Sequence, residues 1–171
     1  MRETYLKLAL NNAWSNATLH AAVRPLDQAA FSARRPGFFP SLAETLGHIL
    51  EVDLYYLDAL EEGGEGLSVF DRSPPRRAAD LAEAQAEADN RLVSLCRNLT
   101  ADRLDRVLSL ERPAGLVRET ASDLLLHLFQ HQIHHRGQAH VQLQDAGIAP
   151  PQLDEFFLAH DRAPTARAYW L

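Results

Sequence analysis

Cysteine is nearly absent from this sequence, which has one among its 171 residues. An internal disulfide is therefore excluded, and Cys96 stands at an apolar position of a predicted helix, where cysteines usually pack rather than react. Long apolar runs are absent too, since the three leucines at 124–126 are followed at once by a histidine. We therefore expect no membrane-spanning segment. Residues 1–30 also lack the basic start and continuous apolar stretch of a secretory signal, so we expect a cytoplasmic protein.

Basic residues are few, with 17 lysines and arginines against 23 aspartates and glutamates and a formal net charge of −6. Lys7 is the single lysine. A nucleic-acid-binding domain usually shows the opposite balance or a clustered basic face. The arginine pairs at 34–35 and 76–77 stand beside prolines, so we interpret them as solvated loop charges. We therefore expect no nucleic-acid partner.

The remaining composition is that of an ordinary globular domain, with 46% apolar and 23% charged residues. A chain of this length can bury about 70% of its unfolded surface, so its core needs neither a disulfide nor a structural metal. We expect residues 1–171 to form one domain, and any bound metal to serve function rather than folding.

Apolar residues recur every three or four positions in four stretches, which is the period of an amphipathic helix. Ser41 and Glu44 form a capping box before the second stretch, Thr120 precedes the fourth, and the glycine pair 63–64 should end the second. The predicted helices cover residues 1–23, 42–60, 80–99 and 120–145. Each helix must bury its apolar face against the others, so we predict an all-α four-helix bundle.

The segments between the helices predict smaller features. The link at 61–79 is long enough to cross the bundle, so a simple up-down-up-down order is not required. The turn at residues 112–115 predicts a small hairpin before the fourth helix, although an extended link fits the same residues. Residues 152–160 predict a short C-terminal helix.

Histidine is abundant, with eight residues in the chain and five of them between positions 127 and 140. His131 and His135 are four residues apart on the fourth helix, so both imidazoles lie on one face that leucines share. Two adjacent buried imidazoles are costly without a strong partner, and a divalent cation is the usual one. The spacing therefore predicts two ligands of a metal site, with His127 and His134 on its flank and His140 facing elsewhere.

A third ligand must come from outside this helix, and the sequence offers three candidates: His20, His48 and His160. His48 is the best placed, because it lies in the second helix on a face that can meet the bundle centre. His20 stands near the end of its helix, and His160 falls in the C-terminal segment. Three residues near His48 are candidates for proton transfer, although each is more simply explained as a capping or solvated residue: Glu44, Glu51 and Tyr55.

Two segments resemble a known family. Residues 127–138, with the core His-x-x-His-His-Arg-Gly-Gln, resemble the signature of the DinB/YfiT-like proteins, which are bacterial metal-binding four-helix bundles. Residues 46–53 resemble the segment that gives the first ligand in that family. The first helix around Trp14, with an asparagine on either side, is similar as well, so the resemblance covers most of the chain.

The resemblance implies that the metal ligands are His48, His131 and His135. It also implies an up-down-down-up bundle, which suits the long link after the second helix, and a homodimer. Three neutral imidazoles leave a coordination position open for water or substrate, as in catalytic zinc sites. Zinc, nickel and iron all suit such ligands, so we expect a divalent transition metal without choosing among them.

Some relatives in this family are thiol-dependent transferases. The resemblance therefore implies a metal-dependent transfer of a low-molecular-weight thiol to a small electrophile. A metal-dependent hydrolase is a variant of this hypothesis, since a metal can also activate water. The second hypothesis is a non-catalytic stress-response protein that binds a metal or a small ligand without turnover. The sequence shows no separate thiol-binding motif and assigns no catalytic residue.

Overall fold

Four long helices lie where the apolar periodicity predicts them, each within about two residues of its expected ends. The computed structural model describes residues 2–158 and 163–170. The long helices are α1 (Arg2–Val23), α3 (Leu42–Glu61), α4 (Ala78–Arg97) and α6 (Ala121–Asp145), and the short ones are α2 (Gln28–Phe31) and α5 (Ala101–Asp105). The predicted all-α bundle is confirmed, with a small hairpin added to it.

The predicted capping signals fix where two of these helices begin. Ser41 Oγ accepts a hydrogen bond from the Glu44 backbone N–H at 3.2 Å, and Thr120 Oγ1 accepts one from the Asp123 N–H at 3.1 Å. Each bond satisfies a donor that the first helical turn leaves unpaired. These caps therefore set the starts of α3 and α6, the two helices that carry the predicted ligands.

The end of α3 differs from the prediction, because Glu62 rather than the glycine pair 63–64 takes the left-handed cap conformation, with φ of 57°. A Cβ on Gly63 would lie 2.2 Å from Asp58 Oδ1. The same carboxylate accepts the backbone N–H of Glu65 at 3.1 Å, so the chain turns tightly around Asp58. Gly63 is therefore needed for this close approach and not for the cap.

The bundle has the up-down-down-up order. Contacts that progress along both helices of a pair define their relative direction: α1 and α6 are parallel, α3 and α4 are parallel, and α3 is antiparallel to α6. For α1 and α6 these are the electrostatic interaction of Tyr5 with Asp123 and the hydrogen bond of Arg136 to Asn12. For α3 and α4 they are the hydrogen bonds of Gln85 to Asp53 and of Arg91 to Glu61. For α3 and α6 they are the hydrogen bond of Thr45 to Gln142 and the ring contact of Tyr56 with His127. Because α3 and α4 point the same way, the link between them has to run back along the bundle, as its length predicts.

A β-hairpin precedes α6, as the sequence predicts. Its strands β1 (Val107–Arg112) and β2 (Gly115–Thr120) are antiparallel, and the end residues of the turn pair with each other. Leu108 and Leu110 of β1 are buried. The hairpin packs against α3, where the Tyr55 hydroxyl donates to the Glu111 backbone carbonyl.

The C-terminal prediction is wrong in the part of the chain that the structure describes. Residues 150–158 contain turns and no helix, and a 3-10 helix instead spans Pro164–Tyr169. Phe156 packs on Trp14 of α1 with ring centroids 5.6 Å apart, and its carbonyl accepts a hydrogen bond from Trp170 Nε1 at 3.1 Å. Packing against α1 therefore decides the path of this segment. The candidate ligand His160 lies outside the described residues.

The structure also bears on the expectations for Cys96 and for membrane-spanning segments. Cys96 is completely buried, and burial raises the pKa of its thiol to about 12, as expected of a packing residue. Among the described residues, no helix combines the length and the apolar character needed to cross a membrane.

Candidate metal centre

Three histidines from two helices converge on one point. His48 comes from α3, and His131 and His135 come from α6. One ring nitrogen from each lies within 4.8 Å of the others, and the Nε2 atoms of His48 and His131 are 3.1 Å apart. The spacing of four on α6 and the antiparallel packing of α3 against α6 produce this arrangement. The structure thus brings together the three residues that the sequence predicts as ligands, here called the histidine cluster.

All three rings of the histidine cluster are held in the neutral form. Burial lowers the pKa of His48 to about 4 and that of His131 to about 3, and it lowers the pKa of His135 as well. Neighbouring imidazoles add to these shifts, because a positive charge on one ring disfavours a charge on the next. At neutral pH the lone pairs are therefore available, and the neutral ring is the form that binds metal ions.

The donor set of the histidine cluster fits a divalent transition metal. His131 Nδ1 is buried and has no hydrogen-bond partner among the described residues. The facing Nε2 atoms of His48 and His131 can share at most one proton, so at least one of them carries a lone pair at the point where the rings meet. A cation satisfies such lone pairs, and imidazole is a common ligand of zinc, nickel and iron.

Gln138 orients His135. The Nδ1 atom of His135 lies 2.9 Å from Gln138 Oε1. An amide oxygen only accepts hydrogen bonds, so His135 carries its proton on Nδ1 and its lone pair on Nε2. Gln138 Nε2 donates in turn to His134 Nε2 at 2.9 Å. His134, which the sequence places on the flank of the site, therefore helps to hold Gln138 in position.

Phe39 forms an aromatic wall that the sequence reasoning missed. Its ring centroid lies 4.4 Å from that of His48 and 5.7 Å from that of His135. The residue belongs to the loop between α2 and α3, where no periodicity shows which side chains turn inward. The only sequence signal is a pair of phenylalanines in a proline-bounded loop, and its other member, Phe38, is 78% exposed.

A cavity of about 630 Å³ opens beside His48. Glu44 and Glu51 of α3 line it together with Phe39, so both carboxylates predicted near His48 lie at the cavity. Burial raises the pKa of Glu51. The Glu44 carboxylate instead lies 3.3 Å from the hydroxyl of its capping partner. Glu51 is therefore the carboxylate that is better placed for proton transfer.

The other candidates lie elsewhere. Tyr55 donates its hydroxyl proton to the carbonyl of Glu111 and does not line the cavity beside His48, so it is not placed for proton transfer there. His20 is buried near the end of α1, and burial lowers its pKa to about 4, but it does not join the histidine cluster. His140 is partly buried outside the cluster, as predicted.

A buried polar network lies directly beside the ligands, because Gln132 and Arg136 stand one residue after His131 and His135. It joins all four long helices. Several of its residues stand in the segments that resemble the family, but the sequence reasoning missed the network because the sequence does not show which helix faces meet. The members of this network are Asn12, Asn16, Asp53, Gln85, Asp89, Gln132 and Arg136.

Most polar atoms of the buried polar network satisfy one another. Arg136 donates to the side-chain oxygens of Asn12 at 2.5 Å and Asn16 at 3.0 Å. Both asparagines donate to Asp89, at 3.1 and 2.9 Å. Burial raises the pKa of Asp53 and raises that of Asp89 to about 6, and it lowers the pKa of Arg136 to about 10. The network therefore joins the helices through a buried arginine and two carboxyl groups.

Fold and site together define a class of protein: an up-down-down-up helical bundle with a three-histidine cluster compatible with metal binding. The chain belongs to the DinB family, whose model matches residues 1–166. It is 22% identical over 163 residues to Protein DinB of Bacillus subtilis (strain 168). The matched region covers 90% of this chain and 92% of that relative.

Two solved structures share the fold. A DinB-like protein from Bacillus cereus ATCC 10987 has a TM-score of 0.63 and 21% identity, with 81% of this chain and 90% of that chain covered. The DinB-like protein YjoA from Bacillus subtilis has a TM-score of 0.62 and 21% identity, with coverages of 82% and 92%. At this identity the likeness shows the fold alone.

Proposed function

We propose that this DinB-family chain binds one divalent transition metal ion through His48, His131 and His135. The observation that carries the proposal is the convergence of their ring nitrogens within 4.8 Å. The lowered pKa values of these rings support it, because neutral imidazoles are ligands and protonated ones are not. Three imidazoles favour zinc, nickel or iron over calcium or magnesium, which prefer oxygen ligands.

A metal held by three histidines would keep a coordination position open and acidify a thiol or water bound there. The residues of the chain supply the surroundings. Phe39 packs over His48 and His135 and limits the access of water to them. Gln138 fixes the tautomer of His135, so that its Nε2 lone pair is free.

We further propose that the reaction is the transfer of a low-molecular-weight thiol to a small electrophile. The thiol sulfur forms a bond to an electrophilic carbon, and the leaving group departs with the electron pair of the bond that breaks. Glu51 is our candidate for receiving the thiol proton, because it lines the cavity beside His48 and burial raises its pKa. The cavity volume of about 630 Å³ falls within the range of small-molecule sites.

Elemental analysis of protein purified without an affinity tag tests the metal site. We expect about one equivalent of transition metal per chain after reloading with zinc, nickel or iron. Recovery of less than about a tenth of an equivalent from all three metals would contradict the proposal.

Thiol consumption tests the reaction. Metal-loaded protein is mixed with a thiol and an epoxide or a chlorinated aromatic, and the loss of free thiol is followed. Metal-stripped protein and the His48→Ala variant are the controls, and we expect consumption to require both the metal and His48. A protein that binds one metal ion and consumes no thiol would support the non-catalytic hypothesis in place of the transferase.

A further inference from the structure

Two arginines line the cavity beside His48 without an internal partner. Arg34 lies in the loop between α2 and α3, and Arg76 lies in the loop before α4. Neither guanidinium has a hydrogen-bond or ion-pair partner among the described residues. A guanidinium offers five donors in a fixed fork that matches carboxylates and phosphates. The cavity therefore presents two unused anion-binding groups.

The backbone on either side of the cavity is anchored. Arg35, next to Arg34, pairs with Asp145 of α6 at 3.0 Å and is largely buried, so its interpretation as a solvated loop charge is wrong. Gln28 Nε2 donates to the backbone carbonyl of Arg76 at 3.0 Å. The two free guanidinium groups are thus attached to chain segments that are held in place.

The charge of the cavity favours an anion when the proposed metal is bound. The two positive charges of Arg34 and Arg76 balance the two negative charges of Glu44 and Glu51. The raised pKa of Glu51 lowers the fraction of this residue that is ionised. A divalent ion at the histidine cluster adds two positive charges to this balance. The rest of the lining consists of three serines, His48 and five apolar residues: Phe39, Pro40, Ala43, Pro74 and Pro75.

We propose that the cavity binds a small substrate whose carboxylate or phosphate group pairs with Arg34 and Arg76. Its apolar body lies against Phe39 and the prolines, and its reacting end lies at His48. The placement of the reacting end at His48 rests on the function proposed above, whereas the pairing of the anionic group depends only on the two arginines. The expected substrate class is a small organic acid or phosphate ester with an apolar body.

Calorimetric titration of zinc-loaded protein with benzoate, phenyl phosphate and the neutral analogue benzamide tests this proposal. We expect the better of the two anions to bind at least about tenfold more tightly than benzamide, because only an anion pairs with guanidinium. That better anion identifies the natural anionic group. The double variant R34Q/R76Q should bind it about tenfold or more weakly than the wild type, with zinc affinity unchanged.

The control variant R24Q/R97Q removes the same charge from exposed positions outside the cavity and should bind the anion as the wild type does. Anion affinity of R34Q/R76Q within about twofold of the wild type, or benzamide binding as tight as that of the anions, would overturn the proposal. Repetition with zinc-stripped protein separates the two proposals. Failure of the wild type to bind zinc contradicts the metal site. The ratio of the anion affinities of the wild type and R34Q/R76Q still shows whether the arginines bind the anion.

Discussion

The histidine cluster and the buried polar network lie next to each other on α6, yet their polar atoms are satisfied in different ways. In the network, Arg136, Asp89 and two asparagines exchange hydrogen bonds between helices. In the cluster, three neutral rings face one another, and His131 Nδ1 has no partner among the described residues. The network is closed by its own members except at Asp53 Oδ1 and Gln85 Oε1, whereas the ring nitrogens of the cluster converge on one point, where an external cation can bind them.

This difference separates residues that hold the fold from residues that hold a ligand. Removing a charged member of the network leaves a buried group without its partner, which is costly. Removing a ring of the cluster takes away a neutral base and leaves no charge behind. Because Gln132 and Arg136 directly follow His131 and His135, the network also fixes how α6 presents its ligands.

The largest effect is expected where the cluster is broken. His131→Ala or His135→Ala leaves two ligands out of three, so metal affinity should fall by about a thousandfold or more. His140→Ala should leave it nearly unchanged, because this residue lies outside the cluster. Competition with a chromophoric chelator measures these affinities. If His127→Ala or His134→Ala removed the metal and His135→Ala did not, the ligand assignment would be wrong.

Breaking the network should lower stability instead. Arg136→Ala leaves Asp53 and Asp89 buried without their cation, so the free energy of unfolding should fall by about 3–5 kcal/mol. Urea denaturation of metal-free protein measures this change. The exposed Arg24→Ala variant is the matched control and should change stability by less than about 0.5 kcal/mol. A loss below about 1 kcal/mol for Arg136→Ala would show that the network does not hold the helices together.

A smaller effect is expected from the residue that orients a ligand. Gln138→Ala removes the acceptor of the His135 Nδ1–H, so metal affinity should fall by about 10- to 100-fold while the melting temperature changes little. Gln138→Glu keeps an acceptor at this position and should retain most of the affinity. The exposed Gln130→Ala on the same helix is the control. Equal metal affinities for the wild type and Gln138→Ala would show that Gln138 does not orient His135 for metal binding.

The smallest effect is expected from moderate acid. The pKa values of about 4 for His48 and about 3 for His131 mean that, as the pH falls, these rings remain unprotonated well below the ordinary histidine pKa of about 6.5. The pKa of His135 is lowered as well, so metal retained after dialysis should be the same at pH 7 and at about pH 6.5, and most of it should be lost by about pH 4, where His48 becomes protonated. Loss of half the metal at pH 6.5 would contradict the buried, neutral state of the cluster.

Features that depend on one helix could be predicted from the sequence, and features that depend on several could not. The pairing of His131 and His135 follows from their spacing along α6. The network requires knowledge of which helix faces meet, since the hydrogen bond between Asn12 and Asp89 spans 77 residues of sequence. The C-terminal helix was misplaced for the same reason, because contacts with Trp14 decide the path of that segment. His48 was the best placed of three candidates by its position in the second helix, and the family resemblance selects the same residue.

The central claim is that the histidine cluster serves a ligand and not the fold. His48→Ala tests it most directly, by circular dichroism, thermal melting and metal analysis with and without zinc. We expect this variant to be helical and folded at 25 °C, to melt within about 5 °C of the metal-free wild type, and to bind no zinc tightly. A His48→Ala protein that is unfolded at 25 °C would contradict the claim, since the cluster would then be a structural element of the bundle.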